Sequence, residues 1–288
     1  MIQKIHNEFG REFYESEEAL RKNLWVCTPK DAYYFNEMTR FDLIQRWLHE
    51  YCPEGRILDV GCGDGYLLCL LSESNTYELF GVDLSMRRLR RVHKIAQQRG
   101  ILLTQSSIDR LPARNGTFDA CILSELMEHL KDLSHLKEVN RLLKPNGYLF
   151  VTVPYKEQLS YYSCPHCKKK FNPSGHLRVF DEESLRAIME NYQFQVQEHA
   201  VLGSSYLKRL HSIAERYFRI RPTFGSYYVN FDQWFAKRWP NACTYLAMVG
   251  QKRGCDSFSK RIDGKSKPNF SFGKGEGMSR PLPSRELR

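Results

Sequence analysis

The segment Ser124-Glu-Leu-Met-Glu-His-Leu130 gathers two carboxylates and an imidazole within five residues. If it turns as the start of a helix, Glu125, Glu128 and His129 face one cavity, because residues three and four apart share a helical face. Two oxygens and one ring nitrogen then point together, three ligands' worth of chemistry for a divalent cation. The same residues also serve without metal. A glutamate then bonds a cofactor or the backbone, and His129 acts as a general base or a structural donor.

Cys164-Pro-His-Cys167 has the Cys-x-x-Cys spacing of half a zinc site. It is followed by Lys168, Lys169 and Lys170, and no apolar periodicity buries it. His176 stands nine residues beyond Cys167 as a third ligand, with His166 disfavoured by geometry. A fourth ligand must come from afar or from a partner chain. A loop that binds nothing is the competing reading, and His176 cannot easily serve both this site and one built around His129.

The run Arg56-Ile-Leu-Asp-Val-Gly-Cys-Gly-Asp-Gly-Tyr66 joins a short apolar strand to a turn with glycines at 61, 63 and 65, where the backbone can pass close to a ligand. A dinucleotide fingerprint would place its third glycine at position 66, which is Tyr, and this argues against NAD. Asp83, 18 positions after Gly65 at the end of the next strand, can accept from both hydroxyls of a ribose. Its alternative role is to cap the following helix, which Ser85 could fill equally well.

These residues require a frame. Helical spacing of Phe35, Met38, Phe41, Ile44 and Leu48 predicts a helix ahead of the first strand. Strands are then predicted at 79–83, 101–107, 118–124 and 148–153, with helices around 87–99 and 134–143. Lys144-Pro-Asn-Gly147 ends the second of these helices in a turn. After a cysteine-containing insertion come a helix from Asp181, a strand at 194–201, a helix at 206–218 and a last strand at 244–250. This alternation predicts an α/β fold with a doubly wound, mostly parallel sheet.

From about Phe35 to Lys252 the chain resembles the class I S-adenosylmethionine-dependent methyltransferases. The motifs are Leu58-Asp-Val-Gly-Cys-Gly-Asp-Gly65, Gly81-Val-Asp-Leu-Ser85, Leu111-Pro112 before Phe118-Asp-Ala-Cys121, Leu143-Lys-Pro-Asn-Gly147 and Tyr245-Leu-Ala-Met-Val-Gly-Gln-Lys252, in that order. The resemblance implies a seven-stranded Rossmann-like sheet with an antiparallel last strand, and S-adenosyl-L-methionine as cofactor. It implies cofactor contacts from Asp59, Gly61, Cys62, Gly63, Gly65, Asp83, Leu84, Ser107, Ile108 and Ser124. The family's usual adenine-binding acid aligns with Ser107, so adenine falls to the Ser107 hydroxyl and Ile108 backbone, or to Asp109 with a shifted loop. Glu-x-x-Glu-His is similar to a segment of ubiquinone-type O-methyltransferases and small-RNA 2'-O-methyltransferases. By that resemblance Glu125, Glu128, His129 and His176 are catalytic residues that hold a divalent cation such as Mg, in competition with Zn at Cys164, Cys167 and His176.

The expected organisation is N-terminal helices over 1–50, a methyltransferase domain over 51–252 and a basic, disordered tail over 253–288. The domain carries an insertion at about 155–180 and an aromatic lid at about 205–240. Of the net charge of +10, six units fall between Lys252 and Arg288. A solvated tail is favoured over contact with RNA or a membrane, and the aromatic segment reads as a lid over a large acceptor, with a membrane contact, stacking on nucleotides and a helix pair covering the sheet as alternatives. No apolar stretch approaches the roughly 20 residues of a membrane span, and the nine cysteines read as reduced thiols, so a cytoplasmic location is expected. The expected reaction is methyl transfer to a small-molecule hydroxyl on a sugar or glycan precursor, a quinone-like ring or a natural product. The alternatives are an RNA or protein methyltransferase using the tail, and a non-catalytic partner-binding protein.

Overall fold

The computed structural model describes residues 32–163, 167, 168, 170–204, 232 and 234–254. The expected N-terminal helices before residue 32, Cys164, most of the aromatic segment and the tail beyond residue 254 lie outside the described residues.

Helix α1 (Ala32–Tyr51) leads into β1 (Gly55–Val60), the glycine turn and the short α2 (Tyr66–Leu71). Then follow β2 (Tyr77–Asp83), α3 (Met86–Gln98), β3 (Leu102–Gln105), β4 (Phe118–Ser124), α4 (Leu136–Leu142) and β5 (Leu143–Pro154). The insertion carries a small hairpin of β6 (Tyr162–Ser163) and β7 (Lys170–Phe171). Helix α5 (Glu182–Asn191), β8 (Phe194–Ser204) and β9 (Cys243–Lys252) complete the chain.

Seven strands form one sheet in the order β3-β2-β1-β4-β5-β9-β8. β1 to β5 pair in parallel, and β9 runs antiparallel between β5 and β8. Both faces are covered, which follows from the period of two along a strand. Leu149, Val151 and Val153 of β5 enter one core with α4 and α5, while Phe150 enters the other with α1, α2 and α3. The expected turn at Lys144-Pro-Asn-Gly147 falls inside β5. Phe118 pairs with Leu143 but Ala120 already pairs with Tyr148, so the turn loops out between two stretches of pairing.

The order of strands puts the ends of β1, β2 and β4 at one carboxyl edge, where ligands bind in open α/β sheets. Helix α1 approaches that edge. Its buried stripe is apolar at Phe41, Ile44 and Leu48 but charged at Arg40 and Glu37, one and two turns before Ile44.

Candidate active site

Gly61, Gly63 and Gly65 all take positive φ, at 78°, 56° and 65°, a conformation that L side chains rarely adopt. A Cβ at Gly61 would meet Leu126 at 3.1 Å, and one at Gly63 would meet Nη1 of Arg88 at 3.1 Å. The turn is therefore a bare backbone cradle. Gly61 and Cys62 donate to the Val82 carbonyl, and Gly63 N–H donates to Asp83 Oδ2 at 2.8 Å. The other Asp83 oxygen accepts from Ser85 N–H at 2.7 Å. Ser85 itself caps α3 by accepting from Arg88 N–H, so the capping role falls to Ser85 and Asp83 is held at the mouth of the cradle. Each of its oxygens keeps a second lone pair for a ribose hydroxyl.

Leu84, next in the chain, is 40 % exposed, which is unusual for a leucine beside a core strand. Ile108 packs on the core from the facing loop. Ser107 donates to Asp109 at 2.7 Å, so the two candidates for the adenine amino group form one acceptor cluster. Asp59 lies 3 % exposed at the end of β1, and burial, then the neighbouring Asp83, push its carboxyl up to about 7. The Cys62 thiol is raised by the same burial and by Asp59. Ser124 shares a hydrogen bond with Thr152 at 3.0 Å across β4 and β5.

The segment after β4 departs from the expected helical start. Glu125 takes φ 51°, and only Met127, Glu128 and His129 form a turn, of the tighter 3-10 kind. This separates Glu125 from Glu128 and His129. Glu125 lies 3.3 Å from Arg40 Nη1, an ion pair across to α1, and its backbone N–H donates to the Thr152 carbonyl at 2.9 Å. Arg40 also pairs with Glu37, which accepts from Tyr245 O–H at 3.1 Å. The Arg40 guanidinium lies over the rings of Phe41 and Tyr245. Burial nevertheless carries the Glu125 carboxyl up to about 7.

Glu128, His129 and His176 form the second group. One ligand atom from each lies within 4.8 Å of the others, the single such set of three among the described residues. Glu128 is 1 % exposed, and both its oxygens are buried with no hydrogen-bond partner among the described residues. Burial, then Glu125, raise its carboxyl well above the usual range. A buried polar group left without a partner is rare in folded proteins and calls for an explanation. A cation between Glu128 and the two imidazoles would supply one, so the donor set fits a divalent metal.

His129 Nδ1 faces the Gly175 carbonyl at 3.3 Å, which puts the Nε2 lone pair on the side of Glu128, 3.9 Å away. Burial and His176 lower the His129 pKa to about 4, so the ring is neutral at physiological pH. His176 stacks edge-on with His129 at 4.8 Å between centroids. The structure thus places His176 with Glu128 and His129. Cys164 lies outside the described residues, and Cys167 is exposed. Sequence reasoning missed Arg40 and Glu37, whose only signal was a charged pair on the stripe of α1 that also carries Phe41 and Ile44.

Residues 32–199, more than half of the chain, match the family described as "Methyltransferase domain". The ubiquinone biosynthesis O-methyltransferase of Albidiferax ferrireducens is 30 % identical over 122 residues, 40 % of this chain and 48 % of that protein. The protein of the same name from Xanthomonas campestris is 32 % identical over 104 residues, 35 % of this chain and 43 % of that one. The chain spans about half the length of the curated relatives it matches. Among solved structures, a Burkholderia thailandensis 1,6-didemethyltoxoflavin-N1-methyltransferase superposes with a TM-score of 0.53 at 16 % identity, over 86 % of this chain and 87 % of that one. That likeness is one of fold. With the strand order and the glycine cradle it agrees with the family match, and the chain belongs to the methyltransferase domain family.

Proposed function

We propose that this enzyme methylates a hydroxyl oxygen of a small molecule, and that Glu128, His129 and His176 hold a divalent cation beside the acceptor. The carrying observation is the buried Glu128 carboxylate with no hydrogen-bond partner among the described residues, facing two imidazoles. The names of the ubiquinone biosynthesis O-methyltransferase relatives support an oxygen acceptor.

S-adenosylmethionine supplies an electrophilic methyl group on a sulfonium whose thioether leaves neutral. The protein must therefore align the nucleophile and exclude water rather than stabilise a leaving anion. Gly61, Gly63 and Gly65 hold the methionine portion, Asp83 the ribose, and Leu84, Ile108 and the Ser107–Asp109 pair the adenine. Asp59 and Ser124 line the floor. A hydroxyl nucleophile also has to lose its proton, and a divalent cation at Glu128, His129 and His176 would lower that hydroxyl's pKa. Glu125, tied to Arg40, faces the same edge and keeps α1 closed over it.

The test is production of S-adenosylhomocysteine from a panel of hydroxyl and amine acceptors, with EDTA and with Mg²⁺ or Zn²⁺ restored. Methylation of hydroxyl acceptors, lost in EDTA and regained with metal, is expected. Full turnover in EDTA removes the cation, and methylation confined to amines removes the oxygen acceptor.

A further inference from the structure

We propose that Glu157 is a positioning residue of this centre: its carboxylate holds Nδ1–H of His176 and thereby turns Nε2 toward Glu128 and His129. The inference deepens the reading given under the proposed function and rests on it for the role of the metal.

Glu157 and His176 lie 19 residues apart at the two ends of the insertion, and the fold brings them into a hydrogen bond through Nδ1. Backbone anchors fix each end. Tyr155 bridges to Phe180, and Lys156 donates its N–H to the Phe180 carbonyl at 2.8 Å. Lys156 takes φ 47°, a left-handed turn that a lysine adopts only at a cost, and Glu157 follows it directly. Tyr155 O–H donates to Glu182 at 2.7 Å, and Lys156 Nζ lies 3.7 Å from the same carboxylate.

On the other side Leu177 N–H donates to the Glu128 carbonyl at 2.8 Å, and Asn172 donates to the His176 carbonyl at 3.3 Å. Arg178 donates to the carbonyls of Leu130 and Lys131. The His176 backbone is thus stitched to the segment that carries Glu128 and His129. What the backbone leaves undetermined is which ring nitrogen points inward, and the Glu157 carboxylate determines it.

Both side chains are more than two-thirds buried, so the pair is not a solvated surface contact. His129 is oriented in the parallel way, with the Gly175 carbonyl in the place of the carboxylate. A ring nitrogen held by a carboxylate or a carbonyl, with the opposite nitrogen directed to a metal, is the usual arrangement of histidine ligands.

The experiment compares wild type, Glu157→Gln and Glu157→Ala in the full chain. Cobalt(II) affinity is measured by calorimetry and by the visible spectrum of the bound ion, and the His176 tautomer by ¹⁵N NMR of metal-free protein. The expected result is a Kd for cobalt(II) raised about 10- to 100-fold in Glu157→Ala and less in Glu157→Gln, where an amide oxygen still accepts. In wild type His176 carries its proton on Nδ1, and in Glu157→Ala the Nε2–H form gains population. S-adenosylmethionine affinity, which Glu157 does not touch, reports that both variants fold. An unchanged tautomer in Glu157→Ala overturns the inference. Failure of wild type to bind cobalt(II) with the tautomer shift intact overturns the metal and leaves the positioning role standing.

Discussion

Asp83 at the end of β2 accepts from the Gly63 amide at 2.8 Å, 20 residues upstream, and so ties the glycine cradle to the strand beside it. The same carboxylate accepts from Ser85 N–H at 2.7 Å. Asp83→Ala removes both acceptors and the proposed partner of the ribose. Losing one hydrogen bond to a charged group costs about 1.5–3 kcal/mol. Calorimetry with S-adenosylmethionine is therefore expected to show at least a tenfold weaker Kd for the alanine variant. Asp83→Asn, which keeps one acceptor oxygen, should fall between. An alanine variant that binds like wild type would remove Asp83 from the cofactor site.

Gly63 and Gly81 lie 18 residues apart in the chain and are glycine for different reasons, which substitution by alanine should separate. At Gly81 a Cβ would meet Leu68, Leu103 and Cys62 at 2.6, 2.7 and 2.9 Å, so alanine overpacks the core by about 1–3 kcal/mol. At Gly63 the obstacle is φ 56°, worth about 1–2 kcal/mol, together with loss of the bare surface facing the cofactor. Urea unfolding is expected to register Gly81→Ala more strongly. Cofactor affinity should fall more in Gly63→Ala.

Those two glycines mark what was legible in the sequence. The positions of the strands, the cradle and Asp83 rest on local patterns: apolar runs of four to seven residues, glycines at alternate positions and an acid closing a strand. The sequence also singled out Glu125, Glu128, His129 and His176. It did not show that Glu125 leaves the group, because a left-handed φ at a glutamate has no signature in residue type. Nor did it show Arg40, Glu37 or Glu157. Their partners are Glu125, Tyr245 and His176, and only the folded chain brings such distant positions together.

Arg40 stands between the buried Glu37 and the half-buried Glu125, with 5 % of its own side chain exposed. Arg40→Met leaves both acids without their cation in a site of low polarity. Removing one member of a buried ion pair costs about 3–5 kcal/mol. Denaturant unfolding is expected to show a loss of that order, while Glu37→Gln, which keeps an acceptor for Tyr245, should lose less. Were Arg40→Met as stable as wild type, the network would contribute nothing to holding α1 on the sheet.

Asp59 gives the site a dependence on pH whose sign follows from its burial. Its carboxyl titrates near 3.8 when unfolded and is pushed up to about 7 in the fold, chiefly by desolvation. Between about pH 4 and 7 the native state keeps a proton that the unfolded chain has released. Stability therefore falls as pH rises through that window and levels off above it. Glu125, also raised to about 7, acts in the same direction. His129 opposes both, since its pKa is lowered from 6.5 to about 4 and its contribution is lost as pH falls through that interval. Wild type alone thus shows a partly cancelled slope, and the informative quantity is its difference from Asp59→Asn. Urea midpoints measured without cofactor should give a variant that gains on wild type steadily from pH 4 to 7, by up to about 4 kcal/mol at the rate of 1.4 kcal/mol per pKa unit. A difference that stays constant over that range would mean that Asp59 titrates as an ordinary carboxylate and that water reaches the base of the cradle.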